Sequence, residues 1–249
     1  MQYYYLVLTF SFGAIMGSFF NVVIYRLPRN ESIVYGSSHC PNCQKPIKAY
    51  DLIPILSYLV LKGKCRNCHQ AISLRYPLIE LLTAITYTLV YLVYGLSFAT
   101  LIGLVLTSTM IIVAMIDIDT MEILDRFHII LLVLAIINLF ITNLPLKDHI
   151  IGFFVISVPF LIIAYLTNGI GGGDIKLIAV AGLLLGYQST LVAFFIASII
   201  GGIVAVYLLA TKQKDRKSLI AFGPYLCVGI YFAYIYGQSI FNWYLTFFH

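Results

Sequence analysis

Charge is what this chain has least of. Only 10% of its 249 residues are Asp, Glu, Lys or Arg, while 61% are hydrophobic. A soluble domain carries roughly 25% charged and about 45–50% apolar residues. The chain lacks the side chains to cover a water-facing surface of its size, which excludes a soluble enzyme, a disordered protein and a nucleic-acid binder. Five cysteines are too few for a disulfide-dense scaffold. The first residues, Met1-Gln2-Tyr3, lack the basic n-region of a signal peptide. Gly13, Gly17 and Ser18 mimic a small-residue cleavage site, but the stretch is long enough to span a bilayer and reads as an uncleaved anchor. No internal repeat stands out beyond recurring hydrophobicity.

What is present in quantity is long apolar runs. A membrane helix needs about 20 of them in a row, and that rule predicts eight crossings, at 3–25, 77–94, 97–116, 128–146, 150–167, 177–190, 191–210 and 219–247. The sixth and seventh are separated only by Tyr187-Gln188-Ser189, and Gly223-Pro224 is expected to bend the eighth. The expected architecture is therefore an all-α polytopic membrane protein. It divides into a first transmembrane helix (1–25), a small cytoplasmic loop domain (26–76) and a transmembrane bundle (77–249). Lys and Arg in short loops mark the cytoplasmic side. With the N-terminus outside, fourteen of the fifteen basic residues fall inside, including Lys212, Lys214, Arg216 and Lys217, and only Lys147 falls outside.

The loop domain carries Cys40-Pro-Asn-Cys43 and Cys65-Arg-Asn-Cys68. Two C-x2-C pairs supply the tetrahedral thiolate set of a structural zinc site, and a reducing cytoplasm argues against persistent disulfides. Two redox-active pairs or four free thiols are the alternatives, and His69 is a competing ligand. A closed four-thiolate site has no open coordination position, so it folds the loop and does no chemistry. Cys227, in an apolar span, reads as a packing residue.

Ionisable groups at membrane depth are costly and are functional-site candidates by default. Asp117, Asp119, Glu122 and Asp125 crowd nine residues at the end of the third span, and Asp174 closes Gly171-Gly172-Gly173-Asp174. Glycines permit positive φ and close backbone approach, so Gly171, Gly172, Gly173 and the nearby Lys176 are candidates for positioning a substrate. No strand precedes the glycine run and no Gly-Lys-Ser/Thr follows it, so it is not a phosphate loop. Two facing carboxylates share a proton, letting one activate water while the other protonates a leaving nitrogen. Asp117 and Asp174 are the candidate pair. The same chemistry equally serves a carboxylate-dependent ion- or proton-coupled transporter. Asp119, Glu122 and Asp125 read as solvated, or paired with Arg126 and Lys176.

Three features together resemble the type IV prepilin peptidase family. They are Gly17-Ser-Phe-Phe-Asn-Val-Val-Ile-Tyr-Arg-Leu-Pro28; the cysteine loop enclosing Asp51-Leu-Ile-Pro-Ile-Leu-Ser-Tyr58 and followed by Arg75-Tyr-Pro-Leu-Ile-Glu80; and the Asp117 segment with Gly171-Gly-Gly-Asp174-Ile-Lys176 and Phe222-Gly-Pro-Tyr225. The resemblance covers almost the whole chain, in order. It implies an integral-membrane aspartic endopeptidase of the bacterial cytoplasmic membrane. Such enzymes remove the basic leader of type IV prepilins or competence pseudopilins after a glycine, at the cytoplasmic face. They then N-methylate the new terminus with S-adenosylmethionine, an activity the family associates with the cysteine-loop region. The family's first catalytic aspartate opens D-x5-[IL]-P-[DN] and its second ends Gly-x-Gly-Asp, which carries over to Asp117 and Asp174. Leu124 stands where the family has proline.

Overall fold

The computed structural model describes residues 2–36, 38–167, 169–212 and 220–247. Of the basic turn used for orientation, Lys214, Arg216 and Lys217 lie outside these, as does the first residue of the expected span 219–247. The described residues contain ten α-helices and no strand beyond two isolated bridges. Five stretches are long and apolar enough to cross a membrane: Tyr3–Arg29, Arg75–Tyr94, Phe98–Thr120, Leu146–Thr167 and Tyr187–Ala210.

The chain forms two compact units, Met1–Thr100 and Leu101–His249. In the first, α1 (Gln2–Arg26) packs against α3 (Arg75–Tyr94). Their backbones approach at a glycine seam. A Cβ on Gly13 would lie 2.7 Å from Ala84 Cα, and one on Gly17 2.7 Å from Glu80 Cα. This small-x3-small spacing is how membrane helices gain contact where no hydrophobic force drives them together. Asn21 fastens the seam at one end by donating to the Tyr76 carbonyl at 3.2 Å. Between the two helices lie a 3₁₀ turn (Ala49–Leu52), the short α2 (Leu56–Val60) and two cysteine knuckles.

The knuckles do repeat one another, contrary to the sequence expectation. Cys40 N–H bonds Lys45 O and Cys65 N–H bonds Gln70 O; Gln44 N–H returns to Cys40 O and His69 N–H to Cys65 O. Gln44 and His69 both take φ of 58°, and the bridges His39–Pro46 and Lys64–Ala71 close the two turns alike. Only the cysteines, Asn42 with Asn67 and Ile47 with Ile72 are shared in sequence, which is why the repeat is chiefly a backbone fact.

The second unit contains α4 (Phe98–Thr120), most of which lies in it, α5 (Asp125–Leu139), α6 (Leu146–Val155), α7 (Ser157–Thr167), α8 (Gly172–Leu185), α9 (Tyr187–Ala210) and α10 (Gly223–Leu245). Helix α8 is its axis: α5, α6, α7, α9 and α10 all pack on it, and Leu177, Ile178, Ala181 and Leu184 are fully or almost fully buried. Gly182 meets Gly152 of α6 backbone to backbone.

Several expected boundaries move, each for a local reason. The run 150–167 breaks at Ile156 between α6 and α7, because the Pro159 ring conflicts with the carbonyl four residues earlier and supplies no N–H. The break between the sixth and seventh spans falls at Gly186, with φ of 78°, so Tyr187-Gln188-Ser189 begins α9. Helix α5 ends at Leu139 rather than continuing to 146. Gly223 and Pro224 do not bend the last helix. They start it, where the missing N–H of proline has no intrahelical carbonyl to reach.

The glycine seam yields a direct test. Gly13→Val or Gly17→Val overpacks the α1–α3 contact, at about 1–3 kcal/mol, and should lower the unfolding temperature in detergent measured by circular dichroism. Gly202→Ala, with nothing within 4 Å of the added atom, should leave it unchanged.

Candidate functional site

Asp117 occupies the last turn of α4 and is only 5% exposed. The helix stops just beyond it. Met121 takes the left-handed conformation, φ of 56°, and its N–H bonds the Asp117 carbonyl at 2.9 Å. Leu124 then caps α5 with φ −71° and ψ 133°. That φ lies in the range proline would impose, so Leu124 takes a proline-like φ without being proline.

Asp174 sits in the first turn of α8, whose cap Gly171 is extended at φ −67°. Gly171, Gly172 and Gly173 are not among the positive-φ glycines, so backbone freedom is not the reason for glycine here. Space is the reason at two of the three. A Cβ on Gly171 would lie 3.2 Å from Asp174 Oδ2, and one on Gly173 3.0 Å from Ile123 Cβ, while Gly172 faces open space.

The two aspartates lie within electrostatic reach of one another. Ile123 packs against both Gly173 and Gly223, so it joins the glycine run of α8 to the start of α10. Gly223 donates its backbone N–H to the Asp117 carboxylate, and any side chain on it would strike Asp117 Oδ2. Three buried side-chain polar atoms lack a hydrogen-bond partner among the described residues, and two of them are Asp117 Oδ2 and Asp174 Oδ1. Native proteins keep few such atoms, and each calls for an explanation. Acceptors left open inside an apolar bundle suit a water or a substrate amide. Cys227, fully buried as expected of a packing residue, lies within the field of both carboxylates.

Lys176 points to Asp125, 2.7 Å away, and its ammonium holds that exposed carboxyl below the ordinary carboxylate range. His128 completes the arrangement. Its Nδ1 lies 3.3 Å from Asp125 Oδ1 and its Nε2 3.1 Å from the Gly173 carbonyl. The glycine run is thus latched to the start of α5. Asp119 and Glu122 are exposed. A groove of about 410 Å³ opens beside this latch, with Leu132, Phe153, Leu161 and Ile175 on its walls and His128 and Lys176 at its polar end.

Sequence reasoning missed Gly223 and His128 as members of the site. The signal for the first was Phe222-Gly-Pro-Tyr225, read only as part of a resemblance. The signal for the second was the i, i+3 spacing from Asp125, which puts both on one helix face.

In the first unit, the Sγ atoms of Cys40, Cys43, Cys65 and Cys68 all lie within 4.8 Å of one another. Cys40 and Cys68 are 3.8 Å apart, which matches the edge of about 3.8 Å that a tetrahedron with metal–sulfur bonds of about 2.3 Å requires. The N–H groups of Cys43 and Asn42 hold the Cys40 thiol below its ordinary value. Those of Gln70 and the Asn42 amide bring Cys68 down to about 6. Cys43, although it receives the Lys45 N–H, is pushed up to about 11 by desolvation and its three thiol neighbours. Four thiols so close release their protons together only to a cation. The set can hold a metal ion such as zinc.

Two family descriptions match the chain. "Bacterial Peptidase A24 N-terminal domain" covers residues 11–94 and "Type IV leader peptidase family" covers residues 104–206. Similar whole proteins include the prepilin leader peptidase/N-methyltransferases of three bacteria. That of Aeromonas salmonicida is 34% identical over 278 residues, covering 99% of this chain and 96% of the relative. That of Bacillus subtilis is 36% identical over 244 residues, covering 96% and 98%. That of Neisseria gonorrhoeae is 36% identical over 269 residues, covering 94% and 92%. No solved structure matches.

Two outcomes follow from this geometry. Gly223→Ala should leave the folded protein in the membrane but displace the Asp117 carboxylate, cutting turnover at least tenfold in an assay of purified enzyme. Elemental analysis should find one metal ion per chain, held more weakly against a chelator in Cys40→Ser and lost when Cys40, Cys43, Cys65 and Cys68 are all replaced by serine; an ion retained by the fourfold variant would exclude the four-thiolate site.

Proposed function

The chain belongs to the type IV leader peptidase family, and from that premise we propose that its membrane-embedded carboxylates Asp117 and Asp174 cut the leader from a type IV prepilin or competence pseudopilin. It is a peptidase with N-methyltransferase activity. The observation that carries the catalytic assignment is the pair of buried carboxylate oxygens, one on each aspartate, that find no partner among the described residues.

The proposed mechanism needs no metal at the peptidase site. One carboxylate, ionised, takes a proton from a water held between the two, and the water attacks the scissile carbonyl. The other, protonated, donates to the leaving nitrogen. Gly223 N–H keeps the Asp117 carboxylate oriented. The open space at Gly172 lets an extended substrate backbone come alongside Asp174, with Gly171 and Gly173 keeping that approach free of side chains. Lys176 and His128 contribute by holding the loop through Asp125 and the Gly173 carbonyl. The exposed Asp119 and Glu122 attract a basic leader, an effect that salt screens. The apolar groove beside the latch suits the hydrophobic residues that follow the cleavage point.

Eight crossings remain the arrangement that best accounts for the bundle. Five are the long apolar stretches, and α5, α8 and α10 supply the others. Helices of 15 and 14 residues reach about 21–22 Å; they are short for a bilayer. The bias of basic residues supports an outside N-terminus, with both acidic segments at the cytoplasmic face of a bacterial plasma membrane and cleavage after a glycine there.

In the first unit, zinc bound by Cys40, Cys43, Cys65 and Cys68 would hold the two knuckles together. S-adenosylmethionine, when bound, would supply the methyl group for the new amino terminus. The chain carries no Gly-x-Gly-x-x-Gly fingerprint for that cofactor, and no side chain is assigned to it.

The test is the intact mass of a prepilin co-expressed with the wild type, Asp117→Asn or Asp174→Asn. Leader loss with the wild type alone is expected, together with one added methyl group. Cleavage by either asparagine variant, present in the membrane in normal amount, would sink the assignment.

A further inference from the structure

The cysteine loop carries a second feature that neither the peptidase nor the metal site uses. Between the knuckles, Leu52, Ile53, Leu56, Leu59 and Val60 are exposed, from 42% at Leu52 to 75% at Val60. This is a contiguous apolar stretch in the part of the chain read as water-facing, and large exposed patches of this kind mark interaction sites.

The stretch is tied to the membrane helices at a defined depth. Ile55 N–H donates to the buried Glu80 carboxylate of α3 at 2.7 Å, and Ser18 of α1 also bonds that carboxylate. Glu80 lies five residues inside the start of α3 at Arg75, or about 7 Å along the helix. The backbone at Ile55 is therefore held below the end of a membrane span. That is the depth, roughly 5–10 Å, at which interfacial segments seat their apolar side chains.

Its hydrogen bonding fits such a place. Backbone in an apolar medium must satisfy its polar groups internally. Pro54 has no N–H to satisfy. Leu56 N–H bonds Pro54 O at 2.6 Å, Ser57 N–H bonds Ile53 O, Leu59 N–H bonds Ile55 O and Leu61 N–H bonds Ser57 O, while the Ser57 hydroxyl donates to Tyr50 O. The Leu56 bond closes a three-residue turn with Ile55 at φ 62° and ψ −52°. This form is strained for a β-branched residue and persists only where its surroundings over-determine it. Glu80 is the group that does so. Exposed Lys48, Lys62 and Lys64 flank the stretch, at the level where anionic headgroups would meet them.

We propose that residues 52–60 dip into the bilayer surface beside α1 and α3, seating Leu56, Leu59 and Val60 among the acyl chains and the flanking lysines among anionic lipid headgroups. The cysteine loop is then anchored to the membrane at three points, the two helix ends and this stretch.

The chain has a single tryptophan, which makes the test clean. In a Trp243→Phe background, Leu59→Trp and, separately, Val60→Trp place a fluorophore at exposed positions that folding does not require. The full-length protein is put into nanodiscs of equal parts phosphatidylcholine and phosphatidylglycerol, with the phosphatidylcholine brominated near the headgroup end of its acyl chains. Blue-shifted emission and several-fold quenching without substrate are expected for both variants. Solvent-like emission with no bromine quenching overturns the proposal. So does a blue shift that arises only when prepilin is added, which would assign the patch to the substrate instead. The readout involves no catalysis, so its failure would leave the peptidase assignment untouched.

Discussion

Burying a carboxylate among apolar helices removes it from water at an effective cost of several kcal/mol, and the second unit is arranged around two such groups. Asp117 is placed by a helix that ends one turn later, and Asp174 by a helix that begins just before it. Both are admitted by glycines: Gly223 leaves room for the first carboxylate, and Gly171 for the second. Ile123, lodged between Gly173 and Gly223, keeps the three helix ends in register. Each glycine trades some local helix stability for an approach that no other residue allows.

The same economy of small residues recurs throughout. Without a hydrophobic drive between helices in lipid, close backbone contact supplies the association. It is seen where Gly13 and Gly17 meet α3, where Gly152 meets Gly182, and where Gly229 and Gly237 meet Ala193 and Ser189. Most polar groups within these contacts are answered locally, His149 Nε2 being an exception among the described residues. Threonine hydroxyls return to carbonyls a turn earlier, as Thr83 does to Ile79, Thr107 to Gly103 and Thr190 to Gly186. Against that background the open oxygens of Asp117 and Asp174 stand out, and they are the observation on which the proposed catalytic role rests.

The first unit solves a different problem. Its loop is too short for a core of its own, and two features draw it together: the four-cysteine cluster, which can hold a metal ion, and the bidentate Asp51–Arg66 pair with its shortest contact at 2.6 Å. Arg66 stands between Cys65 and Asn67, so this ion pair ties the second knuckle to the 3₁₀ turn that leads into the apolar stretch. Glu80 then ties that stretch to α3. A chain of contacts thus runs from the four-cysteine cluster to α3 through residues whose types alone suggest nothing more than a solvated loop.

By itself the sequence determined the apolar, helical character of the chain and singled out the candidate groups. Hydropathy and charge are sums over residues, so they need no tertiary information, and C-x2-C pairs or an aspartate closing a glycine run are legible one segment at a time. It did not determine where helices break: Pro159 and Gly186 act through backbone geometry that hydropathy cannot register. Nor did it determine why the glycines matter. Of the two properties expected of the run 171–173, positive φ and close approach, only close approach is used, at Gly171 and Gly173, and Gly223, expected to bend a helix, also provides space; such space exists only when another helix arrives to need it. Leu124 makes the converse point, since packing brought a proline-like φ to a residue that local chemistry leaves free. Gly223 and His128 joined the site because tertiary folding sets a helix end against Asp117 and a carbonyl of one helix start against a ring on another. Distances of that kind belong to no single segment, so only the folded bundle decided them.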